Sequence, residues 1–184
     1  MFILTLSLLA LAPAHPHIVA PAPAARDAVA VRFALDDATI VAIYDAANTA
    51  DIETGNLGST KGSTAKIRDY GAMLRVAHTA ARQQGRDLAR KLGVTPTPPK
   101  GDKSAAEHAA VMKHLRGLSG PAFDRAFLEH EIAYHKAVIA AVQGTLLPAI
   151  SNADLKALVV GVAPVFVQHQ MVAEKLLAEM PAPK

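Results

Sequence analysis

The chain is 184 residues long, a length for one domain with a sizeable core. Hydrophobic residues make up 51%, yet only 4% are aromatic and none is Trp, an alanine-rich make-up that favours helices over sheet. The formal charge of +3 comes from scattered Lys and Arg, which leaves no nucleic-acid footprint, and the absence of Cys excludes disulfides and thiolate metal sites.

The chain opens with MFILTLSLLALAPA, an apolar run that ends in small residues. It reads as a secretory signal within residues 1–24, with A-x-A-like cleavage after Ala14 or Ala24. The run is too short to span a bilayer, so no stable transmembrane span is expected after processing. The expected address is the periplasm or another exported location. Residues 25–35 lack a clear period and read as a flexible leader.

From residue 36 to about 180 the pattern is helical. The first helix is expected from about Asp36 to Lys61, on a stripe of Ile40, Ile43, Ala47, Ala50, Thr54 and Leu57. The second runs from about Ser63 to Leu92 and stops at Gly93. Its inward positions include Ile67, Leu74, His78, Ala81 and Gly85, at the alternating spacing of a bundle seam. VTPTPPKGDK at 94–103 is a loop, and a short helix follows at about 104–118. Pro121 suits the first turn of the third long helix, whose seam is Leu128, Glu131, His135, Val138, Val142 and Leu146. Pro148 should end it, and Ser151 or Asn152 should cap the fourth. The fourth seam is Leu155, Val159, Val162, Phe166, His169, Ala173 and Leu176, with Pro164 expected to kink the helix. The expected fold is all-α: a ferritin-like four-helix bundle with a long middle crossover carrying a short extra helix.

Histidines interrupt three of these seams. If the middle connection crosses the bundle, the second and third long helices run parallel. His78 and His135 then lie at nearly the same height, with Glu131 and His169 within about 6 Å along the axis. Asp51 lies at a similar offset. Glu53 is farther off and about 200° around the same helix, so only one of the two faces inward. Imidazoles and carboxylates at one level are ligands for Cu, Zn or Fe, and the spacing of four puts Glu131 and His135 on one helical face. Tyr134 and Arg75 are candidates for a supporting shell. The bland alternative is a metal-free interior in which Glu131 pairs with a protonated histidine or with Arg75. His108, His114 and His130 read as surface residues, and His15-x-His17 as a weak Cu(II) motif. No nucleophile elbow, phosphate loop or dinucleotide fingerprint occurs.

Three segments then carry a resemblance. MLRVAHTAARQQGRDLARKLGV, LSGPAFDRAFLEHEIAYHKAVI and VAPVFVQHQMVAEKL together resemble the domain of unknown function 4142 family, over about Asp37 to Met180. The resemblance implies an exported bacterial protein with a ferritin-like bundle and no assigned activity. It also implies that His78, His135 and His169 are the family's histidines, and that Asp51 stands where many members have Glu. Ala77 and Tyr134 depart from its Asp positions, and Glu131 from a position often apolar. Di-iron ferritin-like sites use Glu-x-x-His on two helices, but Arg75 and Phe166 stand three before His78 and His169. The leading expectation is one transition-metal ion held by His78, Glu131, His135 and His169, with Asp51 or Glu53 as a further ligand, for binding or storage rather than turnover. A metal-free envelope structural or interaction bundle is the alternative, and a di-metal oxidoreductase the third. An envelope protein or a second copy of the chain is the kind of partner left open.

Overall fold

The computed structural model describes residues 35–182. The expected signal segment with its cleavage points, nearly all of the expected leader, and His15 and His17 lie outside the described residues. The helices are α1 Asp37–Lys61, α2 Ala65–Leu92, α3 Ser104–Gly117, α4 Gly120–Ala141, a π-helical stretch Val142–Leu146, α5 Leu147–Ala149 and α6 Ala153–Ala178. No strand occurs among the described residues, so the all-α expectation holds.

The helix ends follow local chemistry. The Asp36 carboxylate accepts the Thr39 N–H at 2.8 Å, and the Thr64 hydroxyl accepts the Ile67 N–H at 3.3 Å. Gly93 closes α2 at φ 66°, a left-handed conformation that a side chain resists. Asn152 rather than Ser151 caps α6, accepting from the N–H groups of Asp154 and Leu155. Pro148 does not end the third long segment as expected. Leu147 donates to Val142, a five-residue step. Pro148 then falls in the first turn of α5, where its missing N–H does no harm.

Contacts at the two ends set the helix directions. At one end Asp124 of α4 accepts the N–H of Ser63 at 2.9 Å and its hydroxyl at 2.5 Å. This ties the α1–α2 link to the start of α4. At the other end Asp37 of α1 accepts the N–H groups of Ser151 and Asn152, both at 3.0 Å. Lys91 of α2 reaches Asp154 at the start of α6. Hence α1 and α2 are antiparallel, α2 and α4 parallel, and α4 and α6 antiparallel. The loop after α2 and the helix α3 carry the chain back along the molecule. Lys61 anchors the far end of α3 by donating to Arg116 at 2.5 Å.

Two apolar clusters fill the interior. One gathers Ile40, Tyr44, Val142, Leu146, Leu155 and Val159. The other gathers Ile67, Leu74, Leu115, Phe123, Phe127 and Leu128. Each such side chain, fully buried, contributes about 1.5–3 kcal/mol. Asn48, Asp51, His78, Glu131, His135 and His169 are also buried, and they belong to neither cluster. On α1 the buried stripe differs from the expected one. Ile40, Tyr44, Asn48, Asp51, Gly55 and Gly58 face inward, while Ile43, Ala47, Ala50 and Leu57 are only half-buried. The glycines explain part of the rotation. A Cβ on Gly71 would meet Ser59 N at 2.4 Å and the Gly58 carbonyl carbon at 2.6 Å, so α1 and α2 cross backbone to backbone. By length and composition α6 is the one helix among the described residues apolar enough to cross a membrane, and 22% of its most apolar window is buried here.

Candidate metal centre

Four helices each contribute to one buried polar layer. Asp51 comes from α1, His78 from α2, Glu131 and His135 from α4, and His169 from α6, and none is more than 4% exposed. The rings of His78 and His135 have centroids 5.7 Å apart, those of His78 and His169 5.0 Å, and those of His135 and His169 5.4 Å. One ligand atom from each of the three histidines lies within 4.8 Å of the others, and the same is true of Asp51, Glu131 and His135. His135 is common to both groups.

Hydrogen bonds assign the imidazole protons. The Asn48 amide donates to the Tyr44 carbonyl at 2.8 Å, which turns its oxygen toward His78. His78 Nδ1 therefore donates to Asn48 Oδ1, at 2.9 Å. That leaves the Nε2 lone pair facing His169 Nδ1 at 3.1 Å. Without an ion this contact is an N–H···N hydrogen bond. Two donors on one ion at about 2.0–2.1 Å stand at a similar separation. His135 Nδ1 donates to the Glu131 carbonyl at 2.9 Å, so its lone pair is on Nε2. Among the described residues that Nε2 has no hydrogen-bond partner, and neither does either Glu131 carboxyl oxygen. Thr54 lies nearby, but its hydroxyl donates to the Ala50 and Asp51 carbonyls.

Burial sets the protonation states. It pushes His78 down to about 2, helped by the two other imidazoles, and His135 and His169 down to about 4. All three rings are therefore neutral at pH 7, the form that binds metals. Burial pushes Glu131 up to about 8. Asp51 is raised well above the usual carboxylate range by burial and by the facing Glu131 carboxylate. A cation between them would remove both penalties. The donor set thus fits a transition-metal ion: neutral imidazoles with free lone pairs beside two carboxyls that lack a counter-charge.

The chain matches the family model described as Domain of unknown function (DUF4142) over residues 20–176. It belongs to that family. Neither the curated proteins nor the solved structures gave a match. In this DUF4142 chain five of the sequence-derived candidates, Asp51, His78, Glu131, His135 and His169, meet in one layer.

Three other candidates are placed elsewhere. Glu53 is exposed and pairs with His108 Nε2 at 2.9 Å, because it points away from the face that carries Asp51. His108 is thus engaged rather than simply solvated. Arg75 is exposed and offers Glu131 no counter-charge. Tyr134 sits edge-on to His135, centroids 6.2 Å apart, but its hydroxyl donates to the Ala47 carbonyl. It packs against the layer without hydrogen-bonding to it. His130, read as a surface residue, is half-buried beside Tyr134, and burial pushes it down to about 4. Asn48 is the residue of this buried layer that sequence reasoning missed. Its one available signal was the i, i+4 step from Tyr44, a position that also proves to face inward.

Proposed function

We propose that this chain is an exported ferritin-like four-helix protein that binds one transition-metal ion through His78, His135 and His169, with Asp51 and Glu131 supplying carboxylate ligands and charge. The role is metal binding or storage rather than turnover. One observation carries the reading. Both carboxyl oxygens of the wholly buried Glu131 and the Nε2 of His135 lack a hydrogen-bond partner among the described residues, and both side chains belong, with Asp51, to a group whose donor atoms lie within 4.8 Å. Leaving such atoms unpaired costs about 1–3 kcal/mol each, which a bound cation would offset. Two carboxylates and three neutral imidazoles balance a dication such as Zn(II), Cu(II) or Fe(II). The test is elemental analysis of protein purified from its native compartment beside a His135→Ala variant. About one equivalent of metal in the parent and a large loss in the variant is the expected result; equal and negligible metal in both would sink the reading.

A metal-free interior is the second reading, favoured by the raised Asp51 and Glu131, which together can retain a proton between them. It predicts full stability and no ion after purification. A dinuclear oxidoreductase has less support, since Arg75 faces solvent and Phe166 carries no ligand atom.

A further inference from the structure

An open groove of about 250 Å³ lies between α4 and α6. Its walls include Ile139, Val142 and Gln143 on one side and Pro164, Phe166 and Val167 on the other. Ile139 follows His135 by four residues, and Phe166 precedes His169 by three. The groove therefore sits about one helical turn, roughly 5 Å, from the histidines along both walls. Both walls are irregular at this level. Pro164 interrupts the hydrogen bonding of α6, and α4 passes into its π-helical stretch at Val142. Pro164 has no N–H to give the Val160 carbonyl, and Gln143 is exposed, so an otherwise apolar groove gains polar groups. Such interruptions recur at functional sites and let helices shift locally.

Phe166 separates the groove from the ligands. Its ring stacks on His78, centroids 5.4 Å apart and planes within 3°, and stands 6.3 Å from His135. It is 5% exposed and lines the groove from below. The residues of the polar layer are themselves no more than 4% exposed.

We propose that a metal ion enters and leaves the histidine layer through this groove, with the Phe166 ring as the shutter. The inference rests on the metal-binding reading above and adds the route. A ring rotation at Phe166, eased by the neighbouring irregular turns, opens His78 to solvent without separating the helices. The shutter sets rates and leaves the ligands, and so the equilibrium affinity, nearly unchanged.

The test loads the metal-free full-length protein with Co(II) in a stopped-flow spectrometer, then removes it with EDTA. In Phe166→Ala both loading and release should accelerate about tenfold, about 1.4 kcal/mol off the barrier, with the dissociation constant within about threefold of the parent. Val167→Trp, on an exposed rim position, leaves the core intact and should slow both by a similar factor. Rates within about twofold of the parent in both variants, with Co(II) still bound, would overturn the route alone. Failure of the parent to bind Co(II) overturns the metal reading and the route with it. A dissociation constant that rises with the rate in Phe166→Ala would make Phe166 a packing support for the ligands and reject the shutter.

Discussion

At the scale of the residue, Asn48 decides which nitrogen His78 presents. Its oxygen holds the Nδ1 proton and leaves Nε2 facing His169. Partners of this kind affect metal affinity by about 10–100-fold. Asn48→Ala should therefore weaken metal binding by that factor in a chelator competition, with the helical circular dichroism retained. Unchanged affinity would show that His78 needs no such support. Glu131 makes the opposite case. Its oxygens have no hydrogen-bond partner among the described residues, so in metal-free protein Glu131→Leu should stabilise by about 1–3 kcal/mol. For a chain of this size that raises the melting temperature by roughly 3–10 °C. The same variant should lose the thermal shift that added Zn(II) gives the parent. A calorimetric scan with and without Zn(II) checks both. The position of Glu131 was legible because a carboxylate on an apolar seam stands out. Asn48 was not, because it lies off the stripe that spacing assigned to α1, where an amide reads as an ordinary outward residue.

At the scale of the element, the α1–α2 crossing depends on glycine. A Cβ on Gly71 would strike backbone atoms of α1, which cannot rotate away as a side chain can. Gly71→Ala should cost about 1–3 kcal/mol or more, read as a lower urea midpoint at an unchanged slope. Gly161, inside α6, has open space around its Cβ position. Gly161→Ala should stabilise by about 0.5–1 kcal/mol through helix propensity alone. Equal effects at the two sites would refute the close crossing. The seams of α2, α4 and α6 were readable from spacing, since leucines, valines and phenylalanines mark them. The seam of α1 was misread toward Ile43, Ala47 and Leu57. Its inward face holds Asn48, Asp51 and two glycines, residues that hydrophobic periodicity counts as outward. Pro148 was misread for a similar reason: its effect depends on the register of the preceding turn, which a π-helical step altered.

At the scale of the whole molecule, the buried layer links stability to pH. The imidazoles are pushed down, so unfolding takes up protons as pH falls below about 6.5, and stability declines on that side. Glu131 is pushed up to about 8, so the folded state holds a proton that the unfolded state releases above about 4.5. Stability from that group declines as pH rises from there through about 8. Between about pH 6.5 and 8 only the carboxyls act, and metal-free protein should lose stability across that window. Saturating Zn(II) should reverse the slope there, because the ion takes the place of the protons. Melting temperatures from pH 5 to 8.5 with and without Zn(II) read this directly; parallel curves would argue against an ion in the layer.

The sequence by itself determined the helices, the stop of α2 at Gly93, a cap for α6 at Ser151 or Asn152, and the recurrence of His78, His135 and His169 on inward seams. Those features follow from spacing and local hydrogen bonding, which are properties of contiguous residues. The long connection after α2 also made the parallel run of α2 and α4 readable, and with it the common height of His78 and His135. Only the tertiary structure decided that Asp51 faces the layer while Glu53 turns to His108, that Asn48 holds His78, and that the Glu131 carboxyl oxygens find no hydrogen-bond partner among the described residues. Each of those depends on how far a helix is rotated about its own axis. That rotation is set by what the neighbouring helices allow, here by the glycine crossing of α1 on α2, and not by the helix's own residues.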